Sequence, residues 1–501
     1  MKYISTRSGE TKTAEEALLQ GLAKDGGLYL PDKLPEPFFD YEKIKNLSYP
    51  ELASFILTPF LPEISEEELS VFTKTAYTGN FETDEVVPVR KINEDFSIAE
   101  MFHGKTCAFK DLALSLFPYL LDWAQKRQKK SKRILILTAT SGDTGKAALE
   151  GFRDVPGIDI MVFYPSHGVS PLQKDQMQKQ LGENVKVVGI NGNFDDAQSM
   201  LKQIFAGSLR ESSEENGILF SSANSINIGR LLPQIVYYVW IWIKLVKDGA
   251  INKGESFNVV VPTGNFGNIL AAYIAKRIGT PINQLVCASN ENHVLADFFE
   301  TGTYDIRRDF HLTESPSMDI LISSNFERFL YYMTGSTDKV NRWMHLLRTE
   351  KVYKVSSDEL ETALKNIRGG WTGSERMKRA IADVYQAYRY LMDPHTAVAY
   401  DVYKQICNRG GIEPHSHTVI IGTAHPYKFP GAIAEALGLD SKENPYDTLR
   451  MLEKETGIAV PKQLKSLETA EKRFPDIVER QDMEKVIKAY RDALIVAGTG
   501  M

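Results

Sequence analysis

Short, wholly apolar runs alternate with helical stretches through most of the 501 residues, and this alternation restricts the fold more than any other feature. Ile134-Leu-Ile-Leu-Thr138, Asp159–Tyr164, Val185–Ile190 and Ile218-Leu-Phe220 are strand-length runs with helix-length segments between them. The pattern returns at Phe257–Val261, Gln284–Ala288 and Thr418–Gly422. A strand apolar at nearly every position is covered on both faces, the condition of a parallel sheet flanked by helices. The class expected is α/β, with open, mostly parallel sheets covered by helices.

Two of these strands run into glycine-containing loops that open helices, Thr138-Ala-Thr-Ser-Gly-Asp-Thr-Gly145 and Pro262-Thr-Gly-Asn-Phe-Gly-Asn268. The first turn of a helix exposes unpaired N–H groups, and its dipole favours an anion by roughly 0.3–1 kcal/mol. Glycine lets the backbone approach that anion closely. Loops at the carboxyl ends of parallel strands also lie where open sheets bind ligands. Neither loop ends in Gly-Lys-Ser/Thr, neither is a Gly-x-Gly-x-x-Gly dinucleotide turn, and no Gly-x-Ser-x-Gly elbow is present. One such turn alone is ordinary structure. Two in one chain, with Thr423-Ala-His-Pro426 after a third strand and Lys110 opening a helix in Phe102-His-Gly-Lys-Thr-Cys-Ala-Phe-Lys-Asp111, mark a site. A buried lysine loses charge stabilisation, so its pKa falls toward the range where it forms imines and moves protons. Such an amine beside two anion cradles is what pyridoxal-phosphate chemistry requires.

Length allows two or three domains, and 43% hydrophobic with 25% charged residues is ordinary for a globular protein. A formal net charge of -6 argues against nucleic acid as a partner, and the basic run Lys126–Arg133 reads as a solvated helix end. Cys107, Cys287 and Cys407 are too few and too scattered for a disulfide framework. Cys407 near His415 and His417 has no compact metal-site spacing, so no metal is expected. The start, Met1-Lys-Tyr-Ile-Ser-Thr-Arg7, lacks a signal-peptide core. The run Leu231–Val246 is short for a bilayer and holds Pro233, Gln234 and Lys244, so it reads as a helix buried on nearly all sides. A cytoplasmic protein with no membrane contact is expected.

The texture divides the chain into a mixed N-terminal domain (1–94), a large α/β domain (95–127 with 224–440), a small α/β domain (128–223) and a helical C-terminal extension (441–501) packed on the large domain. Residues 325–410 look mostly helical, and no internal repeat appears.

Several runs together resemble the threonine synthases, within the tryptophan-synthase-like (fold type II) pyridoxal-phosphate enzymes. They are Tyr3–Arg7, Gln20–Leu30, Phe102–Asp111, Ala139–Gly145, Asn224–Arg230, Val261–Asn268, Asp393–Val398 and Gly422–Pro426, and they span nearly the whole chain. Lys105 departs from the pattern, standing beside the cofactor lysine where a proline is common, and would either alter loop stiffness or add a charge near a phosphate. The resemblance implies that Lys110 holds pyridoxal 5'-phosphate covalently and then acts as the mobile base. It implies that Gly264, Asn265, Phe266, Gly267 and Asn268 bind the cofactor phosphate and that Thr423 faces the pyridine nitrogen. Ser141, Gly142, Asp143 and Thr144 would grip the substrate carboxylate; Asn224, Ser225, Asn227 and Arg230 would hold a substrate phosphate. The reaction implied is conversion of O-phospho-L-homoserine and water to L-threonine and phosphate, by a monomer or homodimer, with closure of the 128–223 unit over the ligand. A fold type II dehydratase or phospho-lyase, ending at a 2-oxo acid and ammonia, is the nearest rival reading; a catalytically silent ligand-binding protein is the other.

Overall fold

The computed structural model describes residues 1–127, 132–140, 142–166, 169–192, 194–413 and 416–498. Two sheets carry the architecture. Their elements begin with strands β1 (Val89–Lys91) and β2 (Phe96–Glu100) and the short helix α1 (Lys110–Leu114). Then come β3 (Arg133–Ala139), α2 (Asp143–Gly151), β4 (Ile158–Pro165), α3 (Pro171–Gln178), β5 (Val185–Asn191) and β6 (Ile218–Ser221). The long helix α4 (Ile228–Lys247) leads to β7 (Phe257–Pro262), α5 (Gly267–Arg277) and β8 (Ile282–Ser289). Strand β9 (Ile367–Trp371), helix α6 (Pro394–Asn408), β10 (Thr418–Gly422) and β11 (Ile477–Glu479) complete the set.

The larger sheet has the order β9-β8-β7-β10-β2-β1 and is parallel except where β1 pairs with β2. The smaller, β11-β5-β4-β3-β6, is parallel throughout. Central residues such as Val259, Val260, Val261, Ile420 and Ile421 are fully buried, each contributing about 1.5–3 kcal/mol of apolar burial. The expected α/β class with two mostly parallel sheets is what the chain adopts. Ahead of it stands an antiparallel three-stranded sheet (Tyr3–Ser5, Thr11–Lys12, Tyr29–Pro31) with its own helices.

In the large sheet, the chain leaves β7 toward β8 on one side, while β10 occupies the other side of β7. That reversal opens a crevice at the carboxyl ends of β7 and β10, the place where open α/β sheets take ligands. The loops 263–266 and 423–425 flank it.

Two segments differ from the sequence reading, and a third keeps its reading with wider bounds. Strand β9 lies inside 325–410, where helices were expected. Its core, Arg368-Gly-Gly-Trp371, has no apolar pattern because each glycine admits a helix to one face. A Cβ at Gly369 would lie 2.9 Å from Ala296 Cα, and one at Gly370 2.6 Å from Val402 Cγ1. The run read as Leu231–Val246 extends into α4, which is buried almost throughout; among the described residues no helix is long and apolar enough to cross a membrane. The C-terminal segment, expected on the large domain alone, divides between both sheets. Leu449, Leu452, Leu464 and Leu467 join the core beside Ile420 and Val260. Farther on, β11 pairs with the edge strand β5, and Met483 and Ile487 enter the core of the small sheet.

Candidate active site

Lys110 is placed by a tightly tied loop after β2. Asp111 accepts from Thr106 N (2.8 Å) and Thr106 Oγ1 (2.6 Å), and Gly104 packs so closely on Asp111 that a Cβ there would overlap it. Phe109 N donates to Thr423 O at 2.8 Å and His425 N to Cys107 O at 3.0 Å, strapping this loop to the segment after β10. Lys110 is the first residue of α1 and is buried. Its Nζ lies 3.2 Å from Ser317 Oγ and 3.4 Å from Asp143 Oδ2. Burial pulls its pKa below the ordinary lysine value; Asp143 opposes this, while Lys428 and Arg230 add to it.

The loop between β3 and α2 is organised by Thr140, whose Oγ1 accepts from Gly142 N and Gly145 N at 2.9 Å each. Gly142 has φ 142°, and a Cβ there would meet the Gln173 side-chain amide at 2.7 Å. Asp143 is buried, with Lys428 Nζ 2.8 Å from Oδ1 and Gln173 Nε2 donating to the same oxygen at 2.8 Å. Despite its burial, Lys428 and Lys110 hold its carboxyl well below the usual carboxylate range. A carboxylate engaged this way cannot grip another carboxylate through its side chain. What α2 offers an anion is the backbone N–H groups of its first turn, with half-buried Thr144 beside them. Ser141 lies outside the described residues.

The second glycine loop also presents backbone. Phe266 takes φ 61° at the start of α5, and its ring turns inward against Phe299, Phe326 and Phe329. A left-handed phenylalanine costs roughly 1–2 kcal/mol. The aromatic cluster holds it there, so the N–H groups of the α5 first turn face the crevice edge. A Cβ at Gly264 would overlap Ser317 O, whereas one at Gly267 meets only Asn325 Nδ2 at 3.4 Å. The tight position is Gly264. Ser323 Oγ donates to Gly264 O (2.7 Å), and Asn325 N and Nδ2 donate to Asn265 O (3.1 and 2.9 Å). Asn268 Oδ1 accepts from Tyr237 and Tyr238 hydroxyls (2.6 and 2.7 Å), leaving its buried Nδ2 without a partner.

Of the expected substrate-phosphate group, three members share one region. Arg230 is buried and, among the described residues, makes one hydrogen bond through its own guanidinium, to Ala223 O at 2.8 Å, and keeps Nε unsatisfied. Burial with no carboxylate partner lowers its pKa to about 10. Asn224 Oδ1 is likewise buried and unpartnered, and Ser225 Oγ meets Ser324 Oγ at 3.4 Å. Asn227 does not join them. It caps α4 through Gly229 N and donates to Leu18 O, so its amide is consumed inside the core. Thr423 is buried beside the Lys110 loop. Lys105 is exposed, and its charge reaches Glu150, whose pKa it helps to lower. His415 lies outside the described residues, while His417 is buried on Ser97 and Glu94.

Sequence reasoning missed the segment 315–325. Ser317 N donates to His395 Nε2 (3.1 Å), which puts the ring proton on Nδ1, facing Asp393 Oδ1 (2.8 Å). Only its Ser-Pro-Ser and Ser-Ser-Asn turn chemistry marks that segment, with no period to betray it. Lys428 was also missed, five residues past Thr423.

These groups fit pyridoxal phosphate. Lys110 would offer its buried amine to the aldehyde, the α5 first turn beside Gly264 would receive the phosphate, and Thr423 would bring a neutral hydroxyl to the ring nitrogen.

Comparison with known proteins agrees. Residues 2–77 match the family described as threonine synthase N terminus, 90–424 that of pyridoxal-phosphate dependent enzymes, and 396–489 threonine synthase, C-terminal. The chain is 39% identical over 444 residues to threonine synthase of Pseudomonas aeruginosa, covering 87% of this chain and 90% of that one. It is similar to the crystal structure of threonine synthase from yeast, with TM-score 0.87, 34% identity and 98% of each chain covered. The same holds for PLP-bound threonine synthase from Brucella melitensis, with TM-score 0.85, 34% identity and 98% of each chain covered. The chain belongs to the threonine synthase family, fold type II lyases that depend on pyridoxal 5'-phosphate.

Proposed function

We propose that the protein converts O-phospho-L-homoserine and water to L-threonine and phosphate. The observation that carries this reading is Arg230: a buried guanidinium with an unsatisfied Nε and no carboxylate partner, in the same electrostatic neighbourhood as the Lys110 amine. A second anion site beside the cofactor's suits a substrate that carries its own phosphate, whereas a plain hydroxy-amino acid has no use for one.

When bound, pyridoxal phosphate supplies an electron sink for negative charge at the substrate α-carbon. Lys110 Nζ then takes the proton from Cα. A further proton leaves Cβ as phosphate departs from Cγ; protonation at Cγ, addition of the water hydroxyl at Cβ and return of a proton to Cα complete the balance. One amine can serve neighbouring carbons because its pKa is lowered and it is held close. The first-turn N–H groups of Asp143 and Thr144 bind the substrate carboxylate, while Gly142 N–H, given to Thr140 Oγ1, shapes the loop beneath them. Arg230, Asn224 and Ser225 receive the phosphate, Arg230 through its donor fork. The small α/β unit, which brings α2 to the crevice, excludes bulk water while the charge is exposed. All three cysteines are free thiols, which supports a reducing, cytoplasmic setting.

The test is incubation of the cofactor-loaded protein with O-phosphohomoserine and assay of both threonine and 2-oxobutyrate. Threonine as the main product supports the proposal; 2-oxobutyrate as the main product replaces it with a lyase that stops at the 2-oxo acid. In Lys110→Ala, borohydride should trap no cofactor on the chain. Trapping at another peptide would remove Lys110 from its role.

A further inference from the structure

Asp143 is a carboxylate set inside an anion-binding loop, and its two oxygens are engaged unequally. Oδ1 is held at 2.8 Å by both Lys428 Nζ and Gln173 Nε2. Oδ2 meets Lys110 Nζ and Ser317 Oγ only loosely, at 3.4 Å each. Lys428 is itself fully buried, and its Nζ also donates to Thr106 O at 2.8 Å. Ammonium, carboxylate and amine therefore stand in a row, tight on the Lys428 side and slack on the Lys110 side.

A lone carboxylate 3.4 Å from an amine in a water-poor crevice would hold that amine as its permanent ammonium partner. Among the other groups around Lys110, Arg230 also works against this, from farther off than the carboxylate's own partner. Arg230 approaches from α4 and Ser317, neutral, from the 315–325 segment. Asp111 on its own helix is turned to Thr106, and the buried Cys107 thiol is pushed up to about 12. Lys146 lies farther out, with Glu150. Of the two groups that bond the carboxylate from behind, Gln173 is neutral and Lys428 carries the charge.

Resting on the function proposed above, we infer that Lys428 is a positioning residue for the catalytic amine: it pins and neutralises Asp143 by one oxygen, so that Lys110 is oriented by the other without being locked as its counter-ion. The burial of all three groups makes each charge count. Lys428 lies on the large α/β unit and Asp143 on the small one, so the pair also fixes the first turn of α2 over the amine.

The visible absorption of the full-length, cofactor-loaded protein changes with the proton on the Lys110 nitrogen, and its pH midpoint can be read without substrate. Lys428→Met and Lys428→Gln, the second keeping hydrogen-bonding reach, should each raise the midpoint by about one unit, a roughly tenfold gain in proton affinity. Asp143→Asn should lower it, and Lys428→Met with Asp143→Asn should return it close to the native value. The kcat pH profile of the Lys428 variants should move the same way. An unmoved midpoint with only a lower Tm means a structural ion pair and overturns the inference, as does a double variant that stays displaced. If neither Lys428 variant accumulates folded, an Asp143→Asn midpoint that does not fall overturns it. Because the titration needs no turnover, a failure to make threonine would count against the proposed function and leave this result readable.

Discussion

Thr6 and Glu327 stand 321 positions apart in the chain and share a 2.7 Å hydrogen bond. Glu327 Oε1 also accepts from Leu28 N (2.9 Å), and Oε2 pairs with Arg7 (2.7 Å). Its neighbour Arg328, fully buried, donates to Tyr29 O (2.9 Å) and Ile226 O (2.6 Å). Through these two residues the N-terminal segment grips the helix Phe326–Thr334, which begins where Asn325 closes the Gly264–Phe266 loop.

Glu327→Ala should therefore destabilise the fold by about 3 kcal/mol, since it strands a buried N–H, a hydroxyl and a guanidinium together. Urea unfolding measures it. A loss below about 1 kcal/mol would mean that water replaces the carboxylate.

Arg230→Lys keeps the charge but not the fork, and should lower kcat/KM for O-phosphohomoserine by roughly 10- to 150-fold, the equivalent of one charge-assisted hydrogen bond. The absorption of the bound cofactor should not change. Unaltered kinetics would make Arg230 a purely structural residue.

Gly264→Ala should weaken cofactor binding by at least about tenfold, because its methyl group overlaps Ser317 O and must push the 315–325 segment aside. Gly267→Ala should bind the cofactor nearly as the native protein does, since its Cβ meets only ordinary contacts. Fluorescence titration of each cofactor-free variant compares them, and equal affinities would refute the distinction.

His103 sits between Glu82 (3.0 Å) and Glu100 (2.9 Å), and these carboxylates raise its pKa from 6.5 to about 9 against the pull of burial. The stabilisation from this group is complete below pH 6.5 and lost as pH climbs through about 9. It amounts to about 3 kcal/mol at most. Both glutamates have lowered pKa values, so their share is present above 4.5 and lost as pH falls further. The native protein's urea midpoint should decline between pH 6.5 and 9, and His103→Gln should remove that decline; a decline that persists points to another group.

The parallel sheets were legible because Ile134–Thr138, Asp159–Tyr164 and Phe257–Val261 are buried on both faces and so apolar at nearly every step. Lys110 and both glycine loops were legible from local chemistry. Strand β9 was not, since the glycines that let helices pack on it erase its pattern. Nor was the structural use of Asn227, whose sequence motif looks the same whether the amide caps a helix or touches a ligand. Lys428 and Ser317 were hidden for another reason. Each is 207 or more residues from a partner that gives it meaning, Ser317 at Lys110 and Lys428 at Thr106, and only the folded chain puts them together.

The pairing of β11 with β5 has a consequence for how the chain is made. Asn191 and its partner Glu479 are 288 residues apart. During synthesis the β5 edge of the small sheet stays bare until the last part of the chain emerges, about 15–60 s later at ribosomal speeds of roughly 5–20 residues per second. For that interval a parallel sheet with an open edge is available to any neighbouring nascent chain.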